Sequence, residues 1–188
     1  MIRTFIAVEI DSALRARAKE LIDILRASGA DVKWVETHNI HLTLQFLGDV
    51  PEQQVTAVCK AVEQGAAQVQ PFELEVGGAG AFPNTNRPRT IWIGAKEGHE
   101  HMVELHDNVA LLLAEMDYRD EERRFQTHLT IGRVRGGKNI VTLGQLLKQH
   151  ADFQVGRMQV EKATIFSSRL EHGGPIYEVL GTARLCGK

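Results

Sequence analysis

Two tetrapeptides of this chain nearly coincide: His41-Leu42-Thr43-Leu44 and His128-Leu129-Thr130-Ile131, 87 positions apart (128 − 41). Each alternates polar and apolar residues, so on a β-strand the His and Thr point to one face and the two aliphatics to the other. A helix would split that pairing. Two imidazoles and two hydroxyls, presented in pairs from open strand faces, are suited to clasping a phosphate from both sides. A single H-x-T flanked by aliphatics is ordinarily a strand with a surface histidine. Its recurrence at matching positions has no structural reason and points to chemistry.

The frame around these motifs is that of an ordinary globular protein. The chain has 188 residues, 43% hydrophobic and 24% charged, enough for one substantial core or two small lobes packed together. A formal net charge of −2 and a pI near 6.4 argue against a protein that coats long nucleic acid, which needs an extended basic surface. Phosphate recognition must therefore be local. Cys59 and Cys186 are too few for a disulfide framework and form no C-x-x-C pair, so a reducing compartment, the cytoplasm, is expected. No apolar run approaches the length of a membrane span, and no membrane association is expected.

The elements that must position the motifs can be read from periodicity. Phe5 to Ile10 reads as a strand, Asp11-Ser12 as helix-capping residues, and Leu14, Ala18, Leu21, Ile22 and Leu25 as the inner stripe of a helix ending before Ser28-Gly29. A short strand at Val32 to Val35 precedes the first histidine strand, Ile40 to Leu47. Gly48-Asp49-Val50-Pro51 reads as a turn into a helix facing inward through Val55, Val58, Ala61 and Val62. Phe72 to Val76 is a strand, with Gly77, Gly78 and Gly80 breaking or bulging the chain beyond it. Pro83 to Pro88 is a loop, Thr90 to Gly94 a strand, and His99 to Met116 a helix. After the second histidine strand come a helix near Leu143 to His150 and strands at Phe153 to Val160, Ala163 to Leu170 and Ile176 to Leu185, with Gly173-Gly174-Pro175 as the last turn.

Each histidine strand is followed by a helix and then by a strand opening on Phe, Phe72-x-Leu74-x-Val76 in one half and Phe153-x-Val155 in the other. The expected fold is α+β and bilobal, with pseudo-two-fold symmetry: two mostly antiparallel sheets facing a central cleft, helices outside, residues 1–188 forming one domain of two similar interleaved lobes.

These residues carry a family resemblance. Arg3-Thr4-Phe5-Ile6-Ala7, Trp34, Asn39 to Gly48, Gly80-Ala81-Phe82-Pro83, His128 to Arg133, and Gly174-Pro175-Ile176-Tyr177 together resemble the two-histidine (2H) phosphoesterase superfamily. Within it they resemble the RNA 2′,3′-cyclic phosphodiesterases, also called 2′-5′ RNA ligases. Gln126-Thr127 stand where a proline is common in that family, and Gly132 where alanine is common. The resemblance implies hydrolysis of a 2′,3′-cyclic phosphate at an RNA end to a 2′-phosphate, and with it a reversible 2′-5′ RNA ligation. It further implies His128 as proton acceptor and His41 as proton donor, roles the motifs alone leave open.

That reaction needs a base for the attacking water and an acid for the departing ribose oxygen, and an imidazole suits either near neutral pH. Thr43 and Thr130 would donate to the non-bridging oxygens. Five residues after each histidine stand Phe46 and Arg133, a ring that can stack on a base and a cation that can meet phosphate. Strict alternation aims both away from the cleft, so a twist or bulge near each strand end is required; without one, Phe46 is a core residue. His99, His101 and His106, with Glu97, Glu100 and Glu104, read as a solvated polar face rather than a metal set. Arg119, Arg123 and Arg124, interleaved with acids, read as a solvated loop. Tyr177 and Trp34 read as packing residues, with Trp34 close enough in sequence to the first motif to line the cleft instead. No metal and no cofactor is expected, and the chain is expected to be a monomer acting on cyclic-phosphate RNA ends or small cyclic nucleotides. The alternatives are a non-catalytic RNA-end or nucleotide-binding module, and a phosphodiesterase of small cyclic nucleotides.

Overall fold

The computed structural model describes residues 1–119, 124–172 and 174–187. In chain order the elements are β1 (Ile2–Glu9), α1 (Ser12–Arg26), β2 (Val32–Trp34), a 3-10 turn (Thr37–Asn39), β3 (His41–Val50), α2 (Glu52–Ala66), β4 (Phe72–Phe82), β5 (Thr90–Ala95), α3 (His99–Ala114), β6 (His128–Val134), α4 (Ile140–Gln149), β7 (Gln154–Val160), β8 (Lys162–Glu171) and β9 (Gly174–Arg184). No helix among the described residues is long and apolar enough to cross a membrane.

The strands form an antiparallel sheet in the order β7-β4-β5-β6-β3-β1-β8-β9, with β2 also pairing β6. The two histidine strands, β3 and β6, sit at its middle, side by side. Their ladder consists of one residue pair, Leu42 with Leu129, both fully buried. The fold is the expected bilobal α+β arrangement, but the two expected sheets are joined through this one pair into a single, strongly curled antiparallel sheet.

Helix α1 buries the expected stripe, Leu14, Ala18, Leu21, Ile22 and Leu25; fully burying a Leu or Ile contributes roughly 1.5–3 kcal/mol. Asp11 holds the N-cap position with an extended backbone, but its side chain makes no capping bond. Strand β1 is buried on both faces: Ile6 and Val8 join the main core, while Phe5 and Ala7 face the opposite way and cluster with Phe166 and Tyr177.

Several boundaries differ from expectation. The segment 48–51 is not a turn, because β1 begins at Ile2 and pairs Thr4 with Gly48, Arg3 with Asp49 and Ile2 with Val50, keeping β3 extended to Val50. Of the two alternatives for the glycines after Val76, break or bulge, β4 takes the bulge, as expected, and continues to Phe82. Gly174 and Pro175 belong to β9, paired with Glu171 and Leu170. Of the stretch expected to be a solvated loop, 120–123, including Arg123, lie outside the described residues.

Candidate active site

The sheet register brings the two motifs together. Antiparallel pairing through Leu42 and Leu129 sets His41 alongside Thr130 and Thr43 alongside His128, on the face opposite the buried leucines. On the outer flanks Ala7 pairs with Thr43 and Trp92 with Thr130.

A bulge comes after each motif at the corresponding place. Between β1 and β3 the partners step from Ala7 with Thr43 to Ile6 with Gln45, so Leu44 is the extra residue. Between β5 and β6 they step from Trp92 with Thr130 to Ile91 with Gly132, so Ile131 is the extra residue. Two successive residues are then buried, Leu44 and Gln45 in β3, Ile131 and Gly132 in β6. This inverts the alternation and returns Phe46 and Arg133 to the face of the histidines. Phe46 is 63% exposed with its ring 5.7 Å from that of Phe5, so it is not a core residue. Gly132 is required by close approach: a Cβ there would lie 2.8 Å from Val32 Cγ1 and 3.0 Å from Trp34 Cε3. Trp34 thus packs on the core side, away from the cleft.

Both imidazoles are held in the same way. His41 Nδ1 lies 2.7 Å from the Asn39 carbonyl oxygen and His128 Nδ1 2.7 Å from that of Gln126. A carbonyl only accepts, so Nδ1 carries the proton in both rings and Nε2 is left to the cleft. The supports of the two carbonyls differ. Asn39 is buried and its Nδ2 donates to the Pro175 carbonyl, 3.0 Å away, tying the 3-10 turn to β9. Gln126 comes directly after Phe125, whose ring stacks on His106 at 4.2 Å and 10°. His106 is therefore a buried residue supporting the second motif, not part of a solvated face. His99 and His101 are exposed as expected, and no group of three metal-ligating side chains is found among the described residues.

Aromatic walls enclose each ring. His41 lies 4.9 Å from Phe5 and 5.4 Å from Tyr177 in an edge contact. His128 meets Phe82 edge-on at 5.1 Å, and Phe82 leans on Trp92 at 5.3 Å. The Trp92 indole passes over Gly80, where a Cβ would come within 2.3 Å of it. Tyr177 is thus a wall of the site rather than a remote packing residue. Phe5 and Phe82 lie in segments that carry the family resemblance, but nothing local in the sequence signals that they face a cleft.

Burial sets the protonation. It is the largest cause lowering the His41 pKa, to about 4, with the Arg15 charge also lowering it and the Asn39 hydrogen bond and Glu9 opposing. His128 is lowered too, first by burial and then by Arg133, against the Gln126 hydrogen bond. Both rings are therefore neutral near neutral pH in the unliganded protein. The Thr43 and Thr130 hydroxyls are half-buried and have no partner among the described residues, leaving both able to donate to an oxygen in the cleft. Arg133 is exposed, its Nη1 3.5 Å from Thr90 Oγ1.

A family model described as LigT like Phosphoesterase matches twice, over residues 8–92 and 93–177, one copy of the H-x-T motif in each. The chain belongs to this family of two-histidine phosphoesterases. Among its relatives, the RNA 2′,3′-cyclic phosphodiesterase of Methanothermobacter thermautotrophicus is 35% identical over 184 residues, 98% of this chain and 99% of that one. That of Aquifex aeolicus is 38% identical over 149 residues, 79% of each chain. The LigT-like fold recurs in a crystal structure from Thermus thermophilus, with a TM-score of 0.81, 26% identity and full coverage of both chains. It recurs also in Escherichia coli LigT complexed with 3′-AMP, with a TM-score of 0.74, 21% identity and 98% coverage of each.

Proposed function

We propose that this chain opens 2′,3′-cyclic phosphates at RNA ends, leaving a 2′-phosphate and a free 3′ hydroxyl, with His128 as general base and His41 as general acid. Water attacks phosphorus while His128 Nε2 takes its proton. The P–O3′ bond breaks, and His41, protonated in the substrate complex, gives its proton to O3′. Thr43 and Thr130 donate to the non-bridging oxygens, Phe46 offers a face for the base, and Arg133 a charge for phosphate. A 2′-5′ ligase activity would be the same ring opening with an RNA 5′-hydroxyl in place of water: His128 takes the hydroxyl proton, the P–O3′ bond breaks, His41 protonates O3′, and a 2′-5′ phosphodiester results. The observation that carries this reading is the pair of Nδ1–H groups bonded to backbone carbonyls, which leaves two Nε2 atoms on one face beside two unengaged hydroxyls. The names of the relatives supply the substrate class. Two free thiols, Cys59 and Cys186, fit a reducing setting such as the cytoplasm.

The test is turnover of 2′,3′-cyclic AMP and of a cyclic-phosphate oligonucleotide by wild type, His41→Ala and His128→Ala, before and after exhaustive chelation. Each substitution is expected to lower kcat by roughly 10²- to 10⁴-fold, the usual contribution of a positioned acid or base. The product should resist a 3′-specific phosphatase, and chelation should leave turnover intact. Near-wild-type turnover in either variant removes that histidine from the mechanism. Tight binding of cyclic phosphate without turnover would make the protein a binding module instead.

A further inference from the structure

Past Arg133 the register continues with a residue the reaction has not used. Strand β2 runs along the flank of β6 that β3 leaves free, and Lys33 pairs with Arg133 there. From the other flank Thr90 pairs with Arg133. Directly opposed residues in an antiparallel ladder share a face, so Lys33, Arg133 and Thr90 form a row on the face of His128 and Thr130. Burial agrees: Val32 and Trp34, on either side of Lys33, pack against the core, while Lys33 is exposed. At about 3.3 Å per strand residue, the bulged stretch from Thr130 to Arg133 sets this row roughly 7–10 Å from the H-x-T motifs.

The row is electrostatically unfavourable as it stands. Like charges directly across a sheet repel, and neither Lys33 nor Arg133 has an ion-pair partner among the described residues. An anion between the two would relieve that repulsion, and the distance along β6 is that of a neighbouring group on a substrate already held at the motifs. A cyclic mononucleotide with a 5′ hydroxyl has no second anion to offer. An oligonucleotide does.

We propose that Lys33 and Arg133 together hold the phosphodiester on the 5′ side of the terminal nucleotide, making a single-stranded RNA end of two or more nucleotides the preferred substrate. This deepens the cyclic-phosphodiesterase reading and rests on it. Lys33 acts here as a specificity determinant. It contacts no reacting atom, and its effect is confined to substrates that carry the second phosphate.

The experiment compares kcat/KM for 2′,3′-cyclic AMP with that for a diadenylate ending in the same cyclic phosphate, across a salt series. Wild type and the exposed-site variants Lys33→Gln, Lys33→Glu and Lys33→Arg are used, matched first for thermal midpoint. In wild type the dinucleotide is expected to be favoured, with a steeper salt dependence than the mononucleotide, because it adds one neutralised phosphate to the contact. Lys33→Gln should shrink the dinucleotide-to-mononucleotide ratio by roughly 3- to 10-fold and flatten that slope, Lys33→Glu should shrink it further, and Lys33→Arg should keep it. An unchanged ratio and slope in Lys33→Gln and Lys33→Glu would overturn the proposal and leave Lys33 as a guard on a short edge strand. Failure of wild type to turn over either substrate would refute the underlying phosphodiesterase reading and this proposal with it.

Discussion

Protonating His41 should destabilise the fold by a calculable amount. Its pKa falls from 6.5 to about 4 on folding, chiefly through burial, between Phe5 and Tyr177. The unfolded chain therefore binds a proton in that window that the native state refuses. The stability associated with neutral His41 is complete above pH 6.5 and is lost as pH falls toward 4. At 1.36 kcal/mol per unit the loss comes to about 3 kcal/mol. Urea unfolding of wild type and His41→Gln at closely spaced pH values isolates it, because carboxylate titration and the His128 contribution are common to both proteins and cancel in the difference. The difference curve should be flat above the ordinary histidine pKa, change by about 3 kcal/mol in favour of the variant as pH falls to about 4, and flatten again below. Tyr177→Ala, which opens the ring to water, should move the midpoint of the window upward, whereas Arg15→Gln should move it less, since burial outranks the Arg15 charge. Parallel curves for wild type and His41→Gln would refute the claim that the fold buries a neutral imidazole here.

Other outcomes rest on the same geometry. Because both imidazoles are lowered in the free protein, the bell of kcat/KM against pH should have its optimum on the acid side of 6.5, while that of kcat should lie at higher pH, since bound anionic phosphate favours the protonated ring; coincident optima would contradict this. Phe46→Ala, removing a 63% exposed ring, should raise KM with kcat and thermal midpoint nearly unchanged; a large loss of stability would show that the ring serves packing. Leu129→Ala, at the single pair joining the half-sheets, should cost about 2–5 kcal/mol in chemical unfolding and lower kcat by loosening the spacing of the two motifs, and wild-type kcat in that variant would separate catalysis from the junction.

Legibility in the sequence was governed by how local the determining contacts are. The stripe of α1 was legible because helix periodicity is set by the segment itself. The faces of His41, Thr43, His128 and Thr130 were legible because strand alternation is. Alternation even required the bulges, since Phe46 and Arg133 could reach the cleft only if one residue were inserted, and Leu44 and Ile131 are those residues. Tyr177 was not legible as a site residue, because its approach to His41 depends on β9 pairing with β8 and β8 with β1, contacts between distant parts of the chain. His106 is not legible for a similar reason: its charged neighbours suggest a solvated helix face, while the ring is buried against Phe125, which precedes the second motif in the chain. Gly48-Asp49-Val50-Pro51 had the composition of a turn, but an available partner strand decided otherwise.

Duplication makes the two halves of the site alike, and the proposed reaction needs them unlike. Each motif provides a histidine with Nδ1 held by the carbonyl two residues before it, a threonine two residues on, and a bulge. None of these tells acid from base. The copies differ in their neighbours. His128 has the Arg133 cation nearby, which disfavours its protonated form and suits the proposed base. At His41 the Arg15 charge outweighs that of Glu9 and adds to burial in keeping the ring neutral, so the proposed acid holds a proton only once another anion arrives. The phosphate of the substrate is that anion. In the proposed mechanism the proton destined for O3′ is therefore recruited on binding, when the cyclic phosphate enters beside His41 and offsets the cost of charging a buried ring. The unliganded protein holds two neutral imidazoles, and the substrate's own charge completes the acid–base pair.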